Sequence, residues 1–179
     1  MRTPIVLVLL LLAAAVHAQP RTVESAPGSS TMTYVLTHPL HHVEATSADA
    51  RYTVTIDPAQ RTIAAVEARV DVTTFNSGNS NRDSHAMEVI DALSFPDAHF
   101  VSTNFWTEGS TLKVQGKLTF HGVTNDVVID AHPVWSDHAL AVSGTFAITL
   151  SAFHVERPSL LMIPVDDALT FRFSASFAY

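Results

Sequence analysis

The chain has 179 residues and no cysteine, which excludes a disulfide framework, a thiolate nucleophile, a cysteine-based zinc site and a cysteine-borne lipid anchor. Ten Lys and Arg stand against 17 Asp and Glu, a net charge of −7 at pH 7 with His neutral, so nucleic acid and anionic membrane surfaces are poor partners.

Arg2 precedes an apolar run from Ile5 to Val16, and Val16-His17-Ala18 offers a small-residue cleavage site, so residues 1–18 read as a secretory signal peptide. The run is 12 residues long, short of the roughly 20 that a spanning helix needs, and no membrane anchor is expected. The implied destination is the periplasm or the exterior. Residues 19–31 mix Pro, Gly and Ser without periodicity and read as a flexible leader. Residues 32–179 are long enough for one domain with its own core.

Two-residue periodicity dominates that domain and predicts strands. It is clearest in Tyr52/Val54/Ile56, Val66/Ala68/Val70/Val72, Leu112/Val114/Leu118/Phe120, Leu140/Val142/Phe146/Ile148/Leu150 and Leu169/Phe171/Phe173/Ala175/Phe177. Weaker runs at Thr33–Leu36, His42–Thr46, Phe100–Trp106 and Val127–His132 bring the total to eight or nine, the pattern of an all-β antiparallel sandwich or barrel. Helical spacing occurs once, where Met87, Ile90 and Leu93 follow Asp83 before Pro96, so a short helix is expected near 83–93 with Asp83 as its cap. The dry face carries many Phe residues interrupted by Gly116, Gly144 and Ala175. An eight-stranded barrel can fill itself with side chains, and then act through its surface as an interaction protein, or hold a small ligand, and the pattern alone leaves both open.

The polar residues suggest little chemistry. Arg82 and Asp83 read as a helix cap and local ion pair, and His85 and Glu88 as an i,i+3 pair. His38, His41, His42, His85, His121 and His154 form the alternative case, a metal site at a barrel mouth with Glu44, Asp83 or Glu88 as an oxygen ligand, but no His-Glu-x-x-His spacing supports it. Ser77-Gly78 and Ser143-Gly144 lack a nucleophile elbow and there is no phosphate loop, so no enzyme is read.

Asn81-Arg82-Asp83-Ser84-His85-Ala86-Met87-Glu88, then Phe95-Pro96, Phe100-Val101-Ser102-Thr103 and Val114 through Thr124 follow one another in an order and spacing that resemble the YceI-like family. The resemblance implies an exported, antiparallel eight-stranded, extended lipocalin-like barrel that binds a polyisoprenoid or an isoprenoid quinone and carries no other cofactor. It makes the interior rows ligand-binding: Phe75, Phe95, Phe100, Leu112, Val114, Leu118, Phe120, Leu140, Val142, Phe146, Ile148, Phe171 and Phe173. A tail of roughly 40 carbons at about 0.3 kcal/mol per atom would bind with on the order of 12 kcal/mol and no charged anchor. The expected partner is an isoprenoid lipid; the oligomeric state stays open, a homodimer included. Three segments depart from the family pattern: Tyr34 through His42, Asn76 through Asn81, and Arg157 through Pro164.

Overall fold

The computed structural model describes residues 19–26, 28–39, 41–160 and 162–179; the predicted signal peptide lies outside the described residues. The elements in chain order are β1 (Arg21–Glu24), β2 (Thr31–His38), β3 (His41–Ser47), β4 (Arg51–Asp57), β5 (Thr62–Asp71), α1 (Ser80–Val89), β6 (Asp97–Glu108), β7 (Thr111–Phe120), β8 (Val123–Trp135), β9 (Ala139–Thr149), β10 (Ser159–Leu160), β11 (Ile163–Pro164) and β12 (Ala168–Ala178). Ten of the strands form one antiparallel sheet in the order β1-β4-β5-β6-β7-β8-β9-β12-β2-β3, and β10 and β11 pair separately. Each of the nine runs of alternating side chains is a strand of that sheet.

Two expectations need correction. The tenth strand comes from the supposed leader: Arg21, Thr22, Val23 and Glu24 pair with Ile56, Thr55, Val54 and Thr53 of β4. Thr22 and Thr55 also share a hydroxyl–hydroxyl hydrogen bond of 3.0 Å, so β-branched residues at the edge of a sheet outweighed the surrounding Pro and Gly. The helix starts earlier than predicted, because Asn79 and not Asp83 is its cap, the Asn79 side chain accepting from the Arg82 N–H, and it ends at Val89, so Leu93, expected on its apolar face, lies beyond it and is exposed.

The sheet curls until distant strands touch. Tyr52 of β4 stacks on Phe173 of β12 at 5.9 Å between ring centroids, although five strands separate them in the sheet order. The Ala26 N–H just beyond β1 donates to the Ser176 carbonyl, and the β3 edge is met by Asn76 through a two-way bridge with Thr46. The inward faces meet in one apolar cluster that includes Ile56, Phe100, Leu140, Phe153 and Phe177.

The two ends of the curled sheet differ. At one end β2 finishes and β12 begins, with Leu169 opposite Leu36 and Ile148. The β7–β8 hairpin, the segment 72–96 and the segment 150–167 gather there, tied by His121 Nδ1 to the Phe153 carbonyl at 2.9 Å and by the Val72 N–H to the Pro96 carbonyl at 2.8 Å. At the other end Trp135 and Tyr179 pack ring against ring, the Tyr179 hydroxyl donates to the Ser136 carbonyl, and Arg21 lies over the Tyr179 ring.

Candidate ligand-binding cavity

The inward faces enclose a cavity of about 640 Å³, within the range of small-molecule sites. Its walls are built by alternation. Phe171 and Phe173 on β12, Val142, Phe146 and Ile148 on β9, and Leu112, Val114, Leu118 and Phe120 on β7 all line it, as do Phe100 on β6 and Phe75 after the 3₁₀ turn at Val72–Thr74. Stacked rings stiffen one wall: Phe146 and Phe171 are cross-strand partners with centroids 4.9 Å apart and planes within 11°.

Phe95 and Leu140 lie outside that wall. Phe95 covers the β7–β8 turn, where Gly122 has φ +71° and a Cβ would strike the Phe95 ring, and it meets His121 edge-on at 5.1 Å. Leu140 is fully buried in packing near the closed end. Gly116 and Gly144 do not leave gaps in the wall. A Cβ on Gly144 would stand 2.6 Å from the Phe173 ring and collide with the Asp130 carbonyl, and one on Gly116 would collide with the Phe100 ring and the Val101 carbonyl. The aromatic ring from the neighbouring strand occupies the space each glycine leaves.

Polar groups collect at the open end. Asn79, Asn81, Arg82, Asp83 and His85 of the α1 region reach the cavity rim, and Ala86, Met87, Val89 and Ile90 present apolar surface beside them. Arg82 and Asp83 are held by Ser77: the Ser77 hydroxyl donates to Asp83 and accepts from Arg82 Nε, the Ser77 N–H donates to Asp83 at 3.1 Å, and Arg82 Nη2 donates to the Ser77 carbonyl at 2.8 Å. The pair therefore clamps the segment entering α1 in place of capping the helix. Tyr34, half-buried against Phe75 at 5.3 Å, has its phenol pKa raised by burial and then by the Asp83 carboxylate.

The histidines are dispersed. His38 is buried at the rim with Nε2 3.1 Å from the Ile163 carbonyl, which ties the β10–β11 hairpin to the end of β2. His99 pairs with Glu67 at 2.8 Å across strands, and His85 with Glu88 at 3.7 Å on an exposed helix face. Among the described residues no three His, Asp or Glu side chains converge on one point, and no helix is long and apolar enough to cross a membrane.

The model of the YceI-like domain matches residues 24–177, nearly every described residue. This chain belongs to the YceI-like family. Its relatives include a UPF0312 protein of Pseudomonas syringae pv. tomato, 27% identical over 128 residues, a match spanning 66% of this chain and 67% of the relative. A UPF0312 protein of Vibrio cholerae is 31% identical over 109 residues, spanning 56% of this chain and 58% of the relative. Among solved structures, Burkholderia cenocepacia BcnA superposes with a TM-score of 0.76 at 22% identity, covering 85% of this chain and 98% of BcnA. A polyisoprenoid binding domain from Saccharophagus degradans superposes with a TM-score of 0.63 at 11% identity, covering 89% of this chain and 99% of that domain. At such identities these likenesses establish the YceI-like fold.

Within this YceI-like barrel the cavity is also lined by residues beyond the thirteen proposed from the sequence: Val54, Val66, Val70, Leu169 and Phe177 of the clearest runs, Met32 and Tyr34 of β2, and Tyr52 of β4. The alternation of Tyr52 with Val54 and Ile56 already placed its ring inward.

Proposed function

We propose that this protein binds a long apolar lipid, a polyisoprenoid or an isoprenoid quinone, in the barrel interior, as a non-catalytic carrier in the periplasm or outside the cell. The observation that carries the reading is the wall: around a cavity of about 640 Å³, aliphatic and aromatic side chains face inward from every side and the charged groups are confined to the rim. Such a surface suits methyl-branched hydrocarbon and penalises polar substrates, whose groups would be buried without partners. The solved neighbour from Saccharophagus degradans, a polyisoprenoid binding domain, supports the same ligand class.

The test compares organic extracts of wild type and Ala68→Phe, both purified without detergent. Ala68 is half-buried on the inward face of β5, and its replacement puts a ring into the cavity without meeting a glycine's backbone neighbours. Wild type is expected to yield an isoprenoid and a folded Ala68→Phe several-fold less. Equal amounts from both would place the lipid elsewhere.

A further inference from the structure

The β5–β6 ladder is incomplete. It runs from Asp71 opposite Asp97 to Glu67 opposite Val101 and stops there. Beyond that point Thr62 through Val66 of β5 pair with β4, Ser102 through Glu108 of β6 pair with β7, and among the described residues no strand fills the space between the two edges. The cause is local. β6 carries an irregularity between Ser102 and Asn104 and the β4–β5 pair another between Thr55 and Ile56, and such bulges bend and twist a strand away from its neighbour. Where the strands part, the Val66 N–H donates to the Ser102 hydroxyl at 2.8 Å in place of a β6 carbonyl.

The split borders the cavity. Ile63, Val66 and Leu112, the partner of Thr107 on β6, line the cavity there, and Phe105 shares the inward face of its partner Val114. Ile63 and Val66 are only half-buried, although the β4 residues opposite them, Ile56 and Val54, are 0% and 3% exposed, so the exposure lies on the side that β6 has left. This is the end of the barrel away from α1, because α1 lies between the paired ends of β5 and β6. The closing contacts of that end, from Trp135, Tyr179 and Arg21, belong to β8, the residue after β12, and β1, and not to β5 or β6.

Resting on the lipid-binding reading above, we propose that this split is a side outlet for the hydrocarbon end of the bound lipid, through which a chain longer than the cavity threads in extended form. On β12 the inward residues from Leu169 to Phe177 all line the cavity, a span of about 26 Å at 3.3 Å per residue. Extended geranylgeraniol is shorter than this span and extended solanesol is longer. The two openings differ in polarity. A hydrocarbon end leaving beside α1 would cover Asn79, Asn81, Arg82, Asp83 and His85 and strip them of water, whereas at the split it meets Ile63, Val66, Leu112 and Phe105, and the one nearby hydroxyl, on Ser102, already accepts from Val66.

The chain has no cysteine, so single-cysteine variants report on where the tail emerges. Ala65→Cys puts a thiol on the exposed side of β5 at the split, Asn81→Cys at the rim, and Ser143→Cys on the exposed side of β9, away from both. Each variant is treated with solanesol or geranylgeraniol bearing a thiosulfonate at the tail end, and disulfide formation is followed by mass spectrometry. The solanesol probe is expected to label Ala65→Cys about tenfold or more faster than Ser143→Cys, because a held tail raises the effective concentration at the thiol. Asn81→Cys and the geranylgeraniol probe should give only the Ser143→Cys rate, and unlabelled geranylgeraniol should suppress the fast reaction. Solanesol labelling of Asn81→Cys as fast as Ala65→Cys would bring the tail out beside α1, and equal labelling of all three variants would keep it inside; either overturns the outlet. Fast labelling of Ala65→Cys that geranylgeraniol does not suppress, or that both probes give equally, would overturn threading through the cavity. Displacement of an apolar dye from wild type by geranylgeraniol tests the lipid-binding reading separately: no displacement would sink the lipid cavity itself.

Discussion

At the scale of single residues, the glycines in the interior rows show why a gap in sequence need not be a gap in space. Gly144 sits directly opposite Phe173, and the ring lies over the position where a Cβ would stand. Gly144→Ala is therefore expected to cost about 1–3 kcal/mol in urea unfolding, an overpacking penalty, although it adds only a methyl group. A neutral result would mean that the ring and the Asp130 carbonyl have room to move. Asp167 gives a second residue-level expectation. Its carboxylate accepts from the Ser151 hydroxyl at 2.5 Å and from the Ser151 N–H at 2.9 Å, and these bonds hold its pKa below the ordinary 3.8. A group whose folded pKa is depressed stabilises fully above its unfolded value and loses that stabilisation as pH falls through the folded value. Asp167→Asn should thus melt lower than wild type at neutral pH, and the difference should shrink as pH drops below about 4; a pH-independent difference would assign the effect to packing. Alternation told which side of each strand faces inward, so eleven of the thirteen proposed wall residues stand around the cavity. It could not tell that Phe95 is diverted to cover Gly122, because that depends on a tertiary contact between segments 27 residues apart.

At the scale of elements, β1 and α1 were the hardest to read. β1 is a four-residue edge strand in a segment rich in turn formers, and its β-branched Thr22 and Val23 are held in place by pairing with β4. Replacing Thr22 and Val23 together by Pro removes at least one N–H from the β1–β4 ladder whichever residue faces it. The variant is expected to lose about 1–3 kcal/mol and, with the β4 edge uncovered, to associate at high concentration in sedimentation velocity. A monomer of unchanged stability would show that β1 only decorates the edge. For α1 the apolar spacing around Met87 was visible, but the start depended on the choice between two capping residues. Asn79 holds the cap and Asp83 is drawn to Ser77, so Asn79→Ala is expected to lower helix stability by about 1 kcal/mol, measured as faster amide exchange within Ser80–Val89. Unchanged exchange would mean that the Ser77 clamp alone holds the helix entrance.

At the scale of the whole molecule, one asymmetry organises the rest. Closing contacts from Trp135, Tyr179 and Arg21 gather at one end of the barrel, while α1 and the segment 150–167 surround the other, so lipid should enter and leave beside α1. An antiparallel barrel was legible from periodicity, but whether its interior is packed or hollow was not. Periodicity reports only which residues turn inward; the volume they leave depends on how far the sheet curls and on which rings fold over glycines. The remaining space is proposed to hold an isoprenoid. Native mass spectrometry of the full chain, produced with its N-terminal segment and purified without detergent, tests it most directly. The expected spectrum shows protein plus one isoprenoid mass, released by collisional activation and reduced in Ala68→Phe. Bare protein throughout, or protein carrying only a metal ion, would contradict the account.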